Sequence, residues 1–475
     1  MSDDLDTLDR LTAPWSDTVA VDAAGVAVGG DEVLARRRAR GPATSRQVVG
    51  THVQVVAEGR ALVVAEFEQS SGRRGVQTQL WQRGVDGWEV SATHVMLQPP
   101  AFDRRIWRVV GDPLVLPLAS GPLDGTRIAV QDLFAVAGQA IGAGNPTWRA
   151  TSPLEHAHAP VVERLLAAGA SVAGLARCDE LGWSADGRSP HHGATPNPRS
   201  GFRVSGGAAS GSAAAVAAGH ADVGLGIDSA GGVRVPAAYQ GLWAIRTTQD
   251  VVSRDGSLPL APTFDAIGWV ARDAATLAAI GSVLLPEPVT AISDVVTVDA
   301  VLELADDDVR TVLGAAVDRI GRWEVDLVTP DPWVQAYEVL QQVERHRAFG
   351  EFAAAHPGEM GELAAERARQ AAAIDDESAA QAREQVADAR ERLRKAIADR
   401  VVVLPSAPTV APRLDAADTA ALRQATTRLT CLAEIGGLPV VSVPLATAAG
   451  LPVGLSLMGP PHSDAMLLEL AASLA

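Results

Sequence analysis

The first hundred residues carry two runs of β character, 53–68 and 76–97, in which apolar positions alternate with polar ones as on a half-buried sheet. Asp86-Gly87 interrupts the second run and is a strong hairpin signal. Residues 31–40 precede them as a short arginine-rich helix candidate. Trp81, Trp88 and His94 fall on the strands, and an antiparallel sheet curved over that helix would enclose a small pocket. Gln98-Pro99-Pro100 punctuates the end of this small α+β unit, 1–98, and 99–117 reads as a linker.

From Gly121 the pattern changes, and strand-like apolar runs alternate with Ala-rich helical ones. A helix over 161–169 leads into a buried strand over 171–175. A helix of small residues over 212–219 leads into a strand over 223–227. Such alternation predicts an α/β body, 118–475, with helices covering a buried sheet. Residues 362–400 are rich in Ala, Glu and Arg with complementary charges, which predicts a solvated helix or helical hairpin.

Composition narrows the possible functions. The chain has 475 residues, 47% of them apolar and 20% charged, as in ordinary globular proteins with two or three domains. A formal net charge of −17 argues against a nucleic-acid partner, which needs a basic footprint. Gly, His or charge breaks every apolar stretch before the roughly 18 residues a membrane helix needs, so no membrane span is expected. The acidic N-terminus lacks the apolar core of a secretory signal. Cys178 and Cys431 are far apart and imply neither disulfide framework nor metal site, which suits a reducing cytosol. Lys395 is the single lysine.

The chemistry-bearing features are glycine- and serine-rich loops. Val204-Ser205-Gly206-Gly207-Ala208-Ala209-Ser210-Gly211-Ser212 precedes the small-residue helix, so backbone N–H groups and a helix N-terminus can face a ligand. Gly121-Pro122-Leu123-Asp124-Gly125 and Ala129-Val130-Gln131-Asp132 come before it. Gly226-Ile227-Asp228-Ser229-Ala230-Gly231-Gly232-Val233-Arg234-Val235-Pro236 comes after. Leu404-Pro405-Ser406-Ala407-Pro408, Gly437-Leu438-Pro439 and Gly450-Leu451-Pro452-Val453-Gly454 close the series. In this order and spacing the motifs resemble the amidase signature family from about residue 115 onward. The resemblance implies an α/β/α fold around a twisted mixed sheet of about eleven strands. Residues 1–98 resemble a SnoaL-like cone domain, most similar to the small dicarboxyurea decarboxylase family found beside amidases in cyanuric acid breakdown.

The amidase resemblance implies hydrolysis through an acyl-enzyme, with a serine nucleophile, a second serine on a cis peptide as proton relay, and an uncharged lysine as base. Carried onto this chain, the lysine position is Gln131, the relay Ala208 and the nucleophile Gly232. An amide cannot take a proton near neutral pH, and alanine and glycine have no side-chain oxygen. Ser229, three residues before the vacant nucleophile position, is the rescue candidate. Ser205, Ser210 and Ser212 flank the relay and read as caps or loop braces. Asp228 and Arg234 match bracing positions and are expected to pair, while Gly206, Gly207, Ala230 and Gly231 preserve the loops. Neither a Cys178–His191/His192 pair nor a metal at His156, His158, His191 and His192 has supporting spacing, and no cofactor is implied. In the N-terminal unit, Arg37, Arg40, Trp81 and His94 are the pocket candidates, although the decarboxylase family's tyrosine has no counterpart there.

These features predict a pseudo-amidase that binds a small amide, urea or carboxylate ligand or supports an active partner enzyme, in nitrogen-compound catabolism. The alternatives are an amidohydrolase using Ser229 and a small-acid decarboxylase using the N-terminal unit. The SnoaL-like resemblance further implies a homodimer.

Overall fold

The computed structural model describes residues 19–21, 27–29, 46–69, 74–85, 87–97, 102–287, 292–318, 320–323, 331–416 and 420–474. It divides into two compact units, Met1–Phe102 and Asp103–Ala475.

The first unit is built on a four-strand antiparallel meander, Arg46–Ala57, Arg60–Gln69, Arg74–Gly84 and Gly87–Leu97, extended by the short strands Val19–Val21 and Ala27–Gly29. The expected hairpin is present, with Gly84 paired to Gly87 across the turn. The run 53–68 is not one strand, because Glu58 and Gly59, the latter at φ 70°, turn the chain back on itself. One sheet face buries Ala61, Ala65, Phe67, Gln79 and Val90. The expected helix over 31–40 lies outside the described residues.

The second unit is an eleven-stranded mixed sheet covered by helices. Its central run is Val440–Ala446, Trp243–Arg246, Ala266–Ala271, Val223–Asp228, Arg127–Gln131 and Ser171–Ala176. The stretch expected as a linker holds the edge strand Trp107–Val115, antiparallel to Ser171–Ala176. Pro113 disguised it in the sequence. At a sheet edge a proline is tolerated where pairing breaks, and the register slips between Val110 and Val115.

Local sequence explains how the site-bearing elements pack. Helix Pro160–Ala167 starts on a proline and buries Val161, Val162, Leu165 and Leu166, a stripe at helical spacing. Strand Val223–Asp228 is buried along its whole length. Its Gly224 lies so near helix Ser210–Ala217 that a Cβ would fall 2.7 Å from the Ser212 carbonyl oxygen, so the small residues set the helix-to-sheet distance. The charged stretch 362–400 is a helical hairpin, Glu362–Ala372 and Asp376–Ile397. The second helix is capped by Asp375 and buries Ala379, Ala382, Val386, Ala389, Leu393 and Ile397 along one face.

Candidate active site

Strand Arg127–Gln131 ends on Gln131, whose side chain is wholly buried. Its Oε1 accepts the Ile227 N–H at 2.8 Å, and its Nε2 has no hydrogen-bond partner. The peptide between Gly207 and Ala208 is cis. Gly206 sits at φ 74°, where a side chain would be strained, and an added Cβ would come 2.7 Å from the Pro236 Cα. A Cβ on Gly232 would lie 3.5 Å from the Ala208 nitrogen, and Ala209 donates its N–H to the Gly232 carbonyl at 3.0 Å. One on Gly226 would lie 3.2 Å from Gln131 Oε1 and 2.9 Å from the Ala209 Cβ. The fold therefore gathers Gln131, Ala208 and Gly232, from three separate motifs, into one locality.

The neighbouring serines are occupied. Ser205 Oγ donates to the Gly206 carbonyl at 3.1 Å, and Ser212 Oγ to the Leu225 carbonyl at 3.1 Å. Ser210 Oγ lies 3.4 Å from Thr195 Oγ1. Ser229 Oγ donates to the buried Asp265 carboxylate, which also accepts the N–H groups of Leu260 and Ala261.

Beneath this loop Arg234 forms a two-point pair with Asp228, at 2.9 and 3.1 Å, and also meets Glu434. The Gly231 N–H donates to Asp228 at 3.2 Å and to Glu434 at 3.1 Å. Burial alone would raise the Asp228 carboxyl, but the Arg234 guanidinium and then Arg246 overcome it and hold Asp228 well below the usual carboxylate range. For Glu434 burial wins over the same two arginines, and its carboxyl is pushed up to about 7.

A cavity of about 500 Å³ opens at this locality and is lined by Gly207, Ala208, Ser229, Ala230 and Gly232. Another part of its wall was not legible as a site in the sequence. Helix Asp331–Ala355 presents Tyr337, Gln341 and Arg345, spaced four residues apart and so on one face. The Tyr337 hydroxyl and Gln341 Nε2 donate to the Ser229 carbonyl at 2.7 and 2.9 Å. Arg345 is 6% exposed and lines the cavity. Its Nε has no hydrogen-bond partner, and no carboxylate pairs with it among the described residues. Burial, and then repulsion from Arg367, pull its guanidinium down to about 10, so it stays cationic at neutral pH. The helical period of 331–355 was the one signal that could have revealed this wall.

The other candidates disperse. His191 Nε2 turns to Glu180 at 2.7 Å, and His192 contacts Arg177 at 2.7 Å. His158 accepts the Ala137 N–H at 3.2 Å. Cys178 is buried, and burial pushes its thiol up. In the first unit His94 is exposed and stands opposite Thr78. Trp81 shares a face with Gln79, to which its indole N–H donates at 3.3 Å. Thr78 and Trp81 are an odd number of residues apart on one strand, so His94 and Trp81 lie on opposite faces and do not share a pocket. Arg37 and Arg40 lie outside the described residues.

The family model for amidases matches residues 117–337 and 345–468. The chain belongs to the amidase family. A second model, AtzH-like, matches residues 1–100 of this amidase-family protein. Among curated relatives, Amidase 1 of Oryza sativa subsp. japonica is 32% identical over 393 residues, 74% of this chain and 90% of that protein. A glutamyl-tRNA(Gln) amidotransferase subunit of Halobacterium salinarum is 31% identical over 408 residues, 75% of this chain and 96% of that one. A solved structure described as an unexpected vestigial protein complex, revealing the evolutionary origins of an s-triazine catabolic enzyme, is 26% identical with a TM-score of 0.68. That likeness covers 76% of this chain and 84% of that one. Among the described residues no helix is long and apolar enough to cross a membrane.

Proposed function

We propose that this amidase-family protein binds a small carboxylated amide or urea without hydrolysing it. Three vacancies support the absence of hydrolysis. Gln131 cannot serve as a base, Ala208 has no relay oxygen and Gly232 has no nucleophile. Losing the nucleophile alone costs about a million-fold in a serine hydrolase. The observation that carries the binding half is Arg345, a buried cation without a carboxylate partner at the cavity wall. Such a charge is costly until an anion meets it, and a planar guanidinium matches a carboxylate at two points.

The test is calorimetry with N-carbamoylglycine, which joins a urea to a carboxylate, and its neutral amide, together with an ammonia assay. Binding of the acid, weak binding of the neutral amide and no ammonia release are expected. Ammonia release at an ordinary enzyme rate would overturn the reading.

A second reading rests on the Ser229–Asp265 contact, in which a carboxylate receives the hydroxyl hydrogen of a serine facing the cavity. The same carboxylate also accepts the backbone N–H groups of Leu260 and Ala261, which fix its position beside Ser229. Any amidase activity that disappears in Ser229→Ala would favour this reading.

A role in supporting a partner enzyme extends the first reading. Its support is the likeness to a structure described as a vestigial complex and to one component of an amidotransferase. We further propose pairing of two chains through the six-stranded sheet, whose edge strand exposes Val53 and Val55, and work in a reducing cytoplasm, consistent with two free buried cysteines. Nitrogen-compound catabolism is the setting that the AtzH-like match suggests. Decarboxylation by the N-terminal unit loses support from the separation of His94 and Trp81.

A further inference from the structure

At the cavity wall two carboxyl groups converge on one hydroxyl. Ser184 Oγ lies 2.7 Å from Asp179 Oδ2 and 2.6 Å from Asp186 Oδ1. A serine hydroxyl has one hydrogen and can donate to only one of them. The other contact joins two oxygens at hydrogen-bond distance, and a protonated carboxyl is the group that can supply its hydrogen. Asp179 is 1% exposed and has the Gly187 N–H on Oδ2 at 3.0 Å. Gly207 packs against it so closely that a Cβ there would fall 2.3 Å from Oδ2, which places the pair directly behind the Gly207–Ala208 loop. Ser184 and Asp186 themselves line the cavity.

We infer that Asp179, Ser184 and Asp186 form a carboxyl pair sharing one proton, and that losing this proton weakens the cavity's hold on an anion. The second half rests on reading the cavity as a carboxylate site. With the proton in place the pair carries one negative charge, and without it two, in a wall that also contains Arg345 and Arg367. The titration falls near neutral pH. Burial and then the Asp186 charge push Asp179 up to about 7, against hydrogen bonds from Ser184, Gly187 and Ser210.

The charged and titratable groups facing the pair come from several elements. Arg188 meets Asp186 through its N–H at 3.0 Å and its Nε at 3.6 Å. Arg367, from the helical hairpin, and Tyr239, from helix Arg234–Gln240, both feel the Asp186 charge. Cys178 feels Asp179. No histidine is among the cavity-lining residues described. Glu338 also lines the cavity, and burial raises its carboxyl, so it is the competing source of a pH effect.

The experiment is calorimetric titration of the full chain with N-carbamoylglycine from pH 5.5 to 8.5, in wild type, Asp186→Asn and Glu338→Gln. The ligand's own carboxyl is ionised throughout this range. Infrared difference spectra of the protonated-carboxyl band are recorded in wild type and Asp179→Asn. The expected result is an affinity that falls about five- to tenfold through neutral pH in wild type and Glu338→Gln and stays level in Asp186→Asn. The part of the band that Asp179→Asn removes should disappear over the same pH range, beside the part that Glu434 contributes, whose carboxyl is also pushed up to about 7. A profile unchanged in Asp186→Asn, or abolished in Glu338→Gln, overturns the linkage. Absence of binding at every pH overturns the carboxylate-site reading instead. The infrared difference between wild type and Asp179→Asn then decides on the shared proton: its loss through neutral pH upholds it, and its absence at pH 6 overturns it.

Discussion

A Cβ placed on Gly232 would stand 2.7 Å from the carbonyl oxygen of Ile227. Real side chains do not tolerate that approach to backbone. A side chain at Gly232, the position that the resemblance assigns to the nucleophile, would thus meet the adjacent strand end, and Gln131 holds the N–H of the same Ile227. Gly232→Ser is expected to destabilise the protein by about 1–3 kcal/mol, as overpacking does. The triple variant Gln131→Lys, Ala208→Ser, Gly232→Ser should still release no ammonia from simple amides. A melting curve and an ammonia assay check both; a triple variant with ordinary amidase rates would show that the backbone yields.

Arg345 should behave as a group kept for a ligand at the expense of stability. Arg345→Met removes an unpaired buried cation while keeping most of the volume. The variant is expected to melt no lower than wild type, yet to bind N-carbamoylglycine about tenfold to a hundredfold more weakly, the loss of a charge-assisted hydrogen bond. Calorimetry beside thermal denaturation separates the two. A large fall in melting temperature would mark Arg345 as a packing residue.

Arg234 is the opposite case, a buried cation whose partners are Asp228 and Glu434. Arg234→Met leaves two buried carboxyls with Arg246 as the remaining cation and is expected to cost about 3–5 kcal/mol. Chemical denaturation of the variant measures it. A change below about 1 kcal/mol would mean the network does not brace the loop.

Stability should also depend on pH. Asp179 and Glu434 are both pushed up to about 7 by burial, above their unfolded values. Between those limits the folded state binds more protons than the unfolded state. Their contribution is therefore largest below about pH 4 and is lost as pH rises toward 7. Asp179→Asn should flatten this decline and melt higher than wild type at pH 8. Melting temperatures from pH 5 to 8 test it, and parallel curves for the two proteins would contradict it.

Much of this molecule is determined by the order of residues alone. The loops, the small-residue helix over Ser210–Ala217 and the alternation of buried strands depend on steric and burial rules that act within a few residues, so they were legible. The side-chain chemistry of Gln131, Ala208 and Gly232 was also legible, because a missing oxygen or amine is a property of the residue itself. The edge strand Trp107–Val115 was not, since its proline reads as a break until a sheet edge is there to tolerate it. Tertiary structure alone decided what faces what. It placed Arg345 without a carboxylate partner, set Ser184 between Asp179 and Asp186, and put His94 and Trp81 on opposite faces. The physical reason is range. Backbone preferences are local, whereas desolvation and charge pairing depend on neighbours that come from distant parts of the chain.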